Sequence, residues 1–117
     1  MPQDLAEKRA AYVRELEAAL AESIRILSSI EEVERVSVFG SYARGKRDLL
    51  TDLDLLVVMR TEMPFLERLG FLYGRLALPV DADIFSYTPE ELRSLAERPF
   101  FRTMLRDEVV LYEKGPV

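Results

Sequence analysis

The stretch Thr51-Asp52-Leu53-Asp54-Leu55-Leu56-Val57-Val58-Met59 does most to limit what this chain can become. Its second half is continuously apolar and rich in branched side chains. That is the pattern of a strand covered on both faces, so the sheet it joins must carry packed elements on each side. The first half carries two carboxylates. Residues two apart in a strand project to the same side, their backbone positions roughly 6.6 Å apart at about 3.3 Å per residue, so Asp52 and Asp54 share a face while Leu53 turns to the core. A charge that leads directly into a doubly covered strand needs a partner or a cation.

Composition narrows the chemistry that could use these acids. The 117 residues fit one domain, and no apolar run approaches the roughly 20 residues that span a bilayer. Residues 1–117 are therefore expected to form a single domain with no membrane segment. The start Met1-Pro2-Gln3-Asp4 is polar and acidic rather than basic then apolar, and cysteine is absent, so a cytoplasmic location is expected. Sixteen basic against 21 acidic residues give a net charge of 16 − 21 = −5, the wrong sign for gripping long nucleic acid. Histidine is absent as well, which removes His-dependent base chemistry, Ser-His-Asp triads, thiol nucleophiles and zinc sites of the usual kind. Any metal must be held by oxygen, which favours Mg²⁺, with Mn²⁺ as the alternative.

Periodicity supplies the remaining elements. Leu5, Tyr12, Val13, Leu16, Leu20, Ile24 and Leu27 recur at helical spacing and predict a long first helix, about residues 4–29, whose apolar stripe is core. Val36 to Phe39 reads as a short buried strand stopped by Gly40, and Leu53 to Met59 as its neighbour. A helix carrying Phe65, Leu66, Leu69, Leu72, Tyr73 and Leu76 follows, closed by Pro79, and then a strand from Val80 to Tyr87. Thr88-Pro89-Glu90-Glu91 is a capping box that starts a helix at Leu92, interrupted at Pro99 and extended by a short turn to Leu105; Glu108 to Tyr112 is the last strand. The fold class is α/β (α+β), a small mixed sheet of about four strands packed against helices.

Two features surround the acid pair. Phe39-Gly40-Ser41-Tyr42-Ala43-Arg44-Gly45 breaks a strand at a glycine and enters a helical turn, exposing backbone N–H groups that a phosphate can approach, with the Ser41 hydroxyl as a further donor. Arg44, Lys46 and Arg47 place three positive charges in the loop that leads to Asp52, where they could neutralise triphosphate oxygens. Farther on, Asp81 and Asp83 are same-face neighbours, either of which could complete a three-carboxylate set if their strand lies beside the second; Asp83 continues directly into its strand. The Gly-x-x-x-x-Gly-Lys-Ser/Thr loop of P-loop proteins is absent from the sequence.

Gly40-Ser41, Ala43-Arg44-Gly45, Thr51-Asp52-Leu53-Asp54-Leu55 and Asp83 together resemble the nucleotidyltransferase signature of the polymerase-beta superfamily in its minimal prokaryotic form, the MNT proteins that pair with HEPN-domain partners. The resemblance spans about residues 33–113, with Thr51 where serine is commoner. It implies the nucleotidyltransferase fold, with Asp52 and Asp54 binding two catalytic Mg²⁺ ions, Asp83 completing the metal site on the acceptor side, Gly40 and Ser41 holding the β and γ phosphates, and Arg44 beside them. It further implies ATP or another NTP as substrate, an antitoxin role, and transfer of AMP to a tyrosine of a HEPN toxin, in a homo- or hetero-oligomer. Two other outcomes stand beside it: a non-catalytic subunit that neutralises its partner by contact, and nucleotidyl transfer to a small molecule.

Overall fold

The computed structural model describes residues 4–78 and 80–115. The polar start at residues 1–3 and the helix stop at Pro79 lie outside the described residues. Nine elements follow one another: α1 Leu5–Ser28, β1 Val33–Phe39, α2 Gly40–Ala43, β2 Leu53–Met59, α3 Phe65–Arg75, β3 Ala82–Tyr87, α4 Pro89–Leu95, α5 Pro99–Asp107 and β4 Val109–Glu113. The four strands form one mixed sheet in the order β3-β2-β1-β4; β1 runs antiparallel to β2 and to β4, and β2 runs parallel to β3.

β2 sits inside the sheet and is covered on both faces, as its apolar run requires. Leu53, Leu55, Val57 and Met59 pack toward α1 and α3 with Leu16, Leu27, Val36 and Leu72. Leu56 and Val58 pack the other way, with Phe39, Leu92 and Met104, against α4 and α5. This alternation puts Asp54 on the α4–α5 face, where an even-numbered β2 side chain must point.

The boundaries differ from the sequence-based expectation in ways with clear causes. α1 is capped by Asp4, whose Oδ1 accepts the Glu7 N–H at 2.7 Å, but its stripe is not core throughout: Leu5 is 59% exposed and burial begins only near Leu16. The 24-residue helix is about 36 Å long at 1.5 Å per residue, while the seven residues of β1 span only about 23 Å, so the first turns overhang the sheet. β1 begins at Val33 rather than Val36, because ladder pairing carries it through the polar Glu34-Arg35 pair across an irregularity. Pro99 opens a separate nine-residue helix instead of interrupting one, since a proline at the first helical position loses no hydrogen bond. The Thr88 capping box forms with both its arms, and Glu91 also grips the buried Arg68 guanidinium from α3. Among the described residues no helix is long and apolar enough to cross a membrane.

Candidate active site

Where β1 ends, the chain turns at once into α2, and Gly40 makes the turn with φ +74°. An L side chain is strained there, and a Cβ would in addition lie 2.3 Å from Oδ2 of Asp54. Glycine is thus required twice, by the backbone and by the carboxylate pressed against it. Phe39 faces Asp54 in the β1–β2 register and Asp83 faces Asp54 in the β2–β3 register. Asp54 therefore stands between the glycine turn on one strand and Asp83 on the other.

The electrostatics follow from this position. Asp54 is half-buried, and its carboxyl pKa is raised by that burial first, then by the negative charges of Asp83 and Asp52, while Arg44 opposes the shift. Asp52 is exposed, one residue before β2 begins, and Asp83 is exposed on β3. Among the described residues no group of three or more acidic side chains is drawn together closely enough to hold a metal ion as it stands. The donors fit a hard divalent cation by chemistry: all are oxygen, and the accumulated charge that raises Asp54 is charge a cation would relieve. Asp81 is placed differently. It precedes β3, its carbonyl accepts the Leu53 N–H at 3.3 Å, and its charge, with that of Asp52, bears on Tyr12, whose hydroxyl pKa is raised chiefly by burial.

A cleft of about 230 Å³ opens beside Asp54, bounded by Phe39, Gly40, Arg44, Phe85, Phe100 and Asp107. Ser41, Asp52 and Asp83 are not in its lining. A larger cleft of about 880 Å³ lies between the sheet and the α4–α5 layer near Arg35, Arg60 and Glu108, and it contains none of the three aspartates; chemistry selects the smaller one. The α2 turn has Phe39 at its N-cap and no side-chain cap.

The basic loop is more engaged than its sequence suggests. Arg44 reaches α5, with Nη1 3.3 Å from Asp107 Oδ2, and Arg47 stacks over the Tyr42 ring at 4.1 Å. The loop is closed by the buried Thr51 hydroxyl, which donates to the Lys46 carbonyl at 2.9 Å and accepts the Asp48 N–H at 3.0 Å. From α1, the Tyr12 hydroxyl donates to the Thr51 carbonyl at 2.9 Å. These contacts fix the approach of the chain to Asp52. Thr51, Tyr12, Asp107, Phe85 and Phe100 were not singled out as site residues from sequence; Thr51 lay within the motif, whereas nothing local marks Asp107 as the partner of Arg44 across 63 residues.

The profile of the nucleotidyltransferase domain family matches residues 20–112. Among curated proteins no relative matches the chain. Among solved structures it is similar to a candidate nucleotidyltransferase from Sulfolobus solfataricus, with a TM-score of 0.57 and 23% identity, covering 100% of this chain and 96% of that one. It is also similar to a mutant of the toxin–antitoxin MntA–HpeT, with a TM-score of 0.56 and 23% identity over 85% of this chain and 73% of that one. A toxin–antitoxin solved with AMP-PNP gives a TM-score of 0.50 and 20% identity over 85% and 74%. At these identities the structural likeness is one of fold, and the family match over most of the chain carries the chemistry. By that match over residues 20–112, this chain belongs to the nucleotidyltransferase domain family and is a nucleotidyltransferase.

Proposed function

We propose that the enzyme transfers AMP from ATP to a tyrosine hydroxyl of a HEPN-type toxin and so acts as a cytoplasmic antitoxin, residues 1–117 forming one catalytic domain. The observation that carries the site assignment is Asp54, held against Gly40 and facing Asp83 across the parallel strand pair. Two of the structures it resembles in fold are toxin–antitoxin pairs, one of them solved with AMP-PNP, which supports an adenine nucleotide and a protein partner.

In this reading the acceptor oxygen bonds to the α-phosphorus, the bond to the β-phosphate breaks, pyrophosphate leaves, and the acceptor proton passes to the Asp83 carboxylate. Gly40 keeps the turn free of a Cβ, so that Asp54 and the nucleotide phosphates can share it. Ser41 donates its hydroxyl to a terminal phosphate, and Arg44, exchanging Asp107 for phosphate, neutralises charge there. Asp52, Asp54 and Asp83 would hold two Mg²⁺ ions, with Mn²⁺ able to replace them, and bound ions of this kind supply electrostatic stabilisation of the phosphate charge. Asp83 rather than Asp81 is the third carboxylate, supported by its register with Asp54.

The test is transfer of label from α-labelled ATP to a protein acceptor by the wild type and by the Asp52→Asn, Asp54→Asn double variant. Label on a tyrosine, made by the wild type alone, is the expected result; partner capture by both forms with no label would instead favour neutralisation by contact.

A further inference from the structure

Beside the Asp54 cleft an aromatic ring is fixed in place with half of its surface uncovered. Phe100 of α5 is 51% exposed, yet its ring meets Phe39 and Phe101 edge to face, with centroids 6.4 and 5.3 Å away, and lies beside Phe85 at 5.7 Å. An exposed phenylalanine on its own is ordinary. This one lines the cleft of about 230 Å³ together with Gly40, Arg44 and the Asp54 carboxylate. Phe100, Thr103 and Asp107 stand at i, i+3 and i+7 on one face of α5, and all three line the same cleft. That wall runs about 10 Å along the helix axis, at roughly 1.5 Å per residue, from an aromatic end to a charged end where Asp107 meets Arg44.

We propose that Phe100 is the base-contacting residue of this enzyme: the nucleobase of the NTP lies against its ring, the ribose lies beside the Thr103 hydroxyl, and the phosphates lead past Arg44 to the Gly40 turn. The proposal rests on the reading of that turn as the phosphate site. Three observations choose the nucleotide rather than the acceptor as the occupant. The cleft contains Gly40 and Arg44, the groups on the phosphate side, whereas Asp83, on the acceptor side of that reading, is not in its lining. Its volume is below the roughly 300–1,000 Å³ of sites that enclose a whole drug-sized ligand, so it takes the nucleoside and leaves the triphosphate on the turn outside. The α5 wall also has the polarity of a nucleotide, a flat aromatic surface at one end and a phosphate-binding cation at the other. A ring already held by three neighbours loses little freedom when a base stacks on it, so little of the stacking is spent on ordering.

The chain has no tryptophan, so Phe100→Trp places a unique fluorophore in the cleft. Mg²⁺-ATP is expected to quench it, whereas inorganic triphosphate, which has no base, leaves it unchanged. Neither addition should alter Phe65→Trp, whose ring packs on Tyr87 and is not in the cleft lining. Equilibrium dialysis with labelled ATP gives a second readout. Phe100→Ala should weaken ATP binding about tenfold, leave the binding of inorganic triphosphate at the wild-type value, and differ from Phe100→Trp, which keeps the ATP affinity. Phe100→Leu, apolar but without a π face, takes its place with a loss in the same direction if Phe100→Ala fails to fold. Equal ATP affinity in the wild type and the Ala or Leu variant, with triphosphate displacing ATP from both, overturns the base contact and leaves the phosphate site standing. A wild type that binds neither compound refutes the phosphate site and the base contact with it.

Discussion

A side chain at position 40 and the carboxylate of Asp54 compete for the same space: a Cβ on Gly40 would lie 2.3 Å from Asp54 Oδ2, at a backbone φ of +74°. Gly40→Ala is therefore expected to cost about 1–3 kcal/mol from the left-handed conformation and the forced shift together, and to lower transfer activity by two orders of magnitude or more. Because the clash needs both groups, Gly40→Ala combined with Asp54→Ala should destabilise by less than the sum of the single changes. Urea unfolding of the three variants measures this coupling, expected at about 0.5 kcal/mol or more. Strict additivity would mean the two residues do not constrain one another.

The link between Arg68 and Glu91 should give the fold a pH dependence. Arg68 is buried and donates to the Met63 and Ser86 carbonyls and to both Glu91 oxygens, and the hydrogen bond from Arg68 lowers the Glu91 pKa. A carboxylate depressed on folding contributes stability that is present above its unfolded value, near 4.3, and lost as pH falls through the folded value. Stability should thus drop below about pH 4.3, and Glu91→Gln should flatten that drop while costing about 1–2 kcal/mol at pH 7, a moderate figure because the Glu91 side chain is 42% exposed. Denaturant titrations at pH 7, 4 and 3 on both proteins check the sign. An unchanged slope in Glu91→Gln would assign the pH dependence elsewhere.

Thr51 holds the loop before Asp52 through its buried hydroxyl. Thr51→Ala should cost about 1–3 kcal/mol by leaving the Lys46 carbonyl and Asp48 N–H without that partner. Thr51→Ser keeps the hydroxyl and should stay within about 1 kcal/mol of wild type. Thermal unfolding separates the two, and equal losses would show that the methyl group rather than the hydrogen bonds matters.

Arg44 is paired with Asp107. If it turns to phosphate when nucleotide binds, Arg44→Ala should raise the nucleotide KM about tenfold, whereas Asp107→Asn, which frees the guanidinium, should leave KM unchanged or lower it. Equal increases in both variants would make the ion pair a purely structural tie between α2 and α5.

Much of this was legible in the sequence because it depends on local pattern. The doubly apolar run of β2 required cover on both faces, and the capping box at Thr88 and the strand break at Gly40 are visible in a few residues each. What could not be read is whatever depends on tertiary placement. The overhang of α1 comes from comparing helix length with sheet width, and a periodic stripe such as Leu5 to Leu27 carries no record of where the sheet ends. The pairing of Arg44 with Asp107 likewise follows from a neighbour the topology supplies, so a basic loop that looks free in sequence is partly occupied. That Asp83 lies beside Asp54 depends on strand register, which only the β2–β3 ladder sets.

The proposed transfer of a nucleotide to a protein hydroxyl rests on Asp52 and Asp54. Purified wild type and the Asp52→Asn, Asp54→Asn variant, each incubated with Mg²⁺, α-labelled ATP and lysate of the host, test it most directly, with γ-labelled ATP run in parallel. The expected result is a protein band that carries the α label only, is made by the wild type only, and is labelled on tyrosine. The same band persisting in the double variant, or taking up the γ label only where the wild type is added, would overturn the proposal.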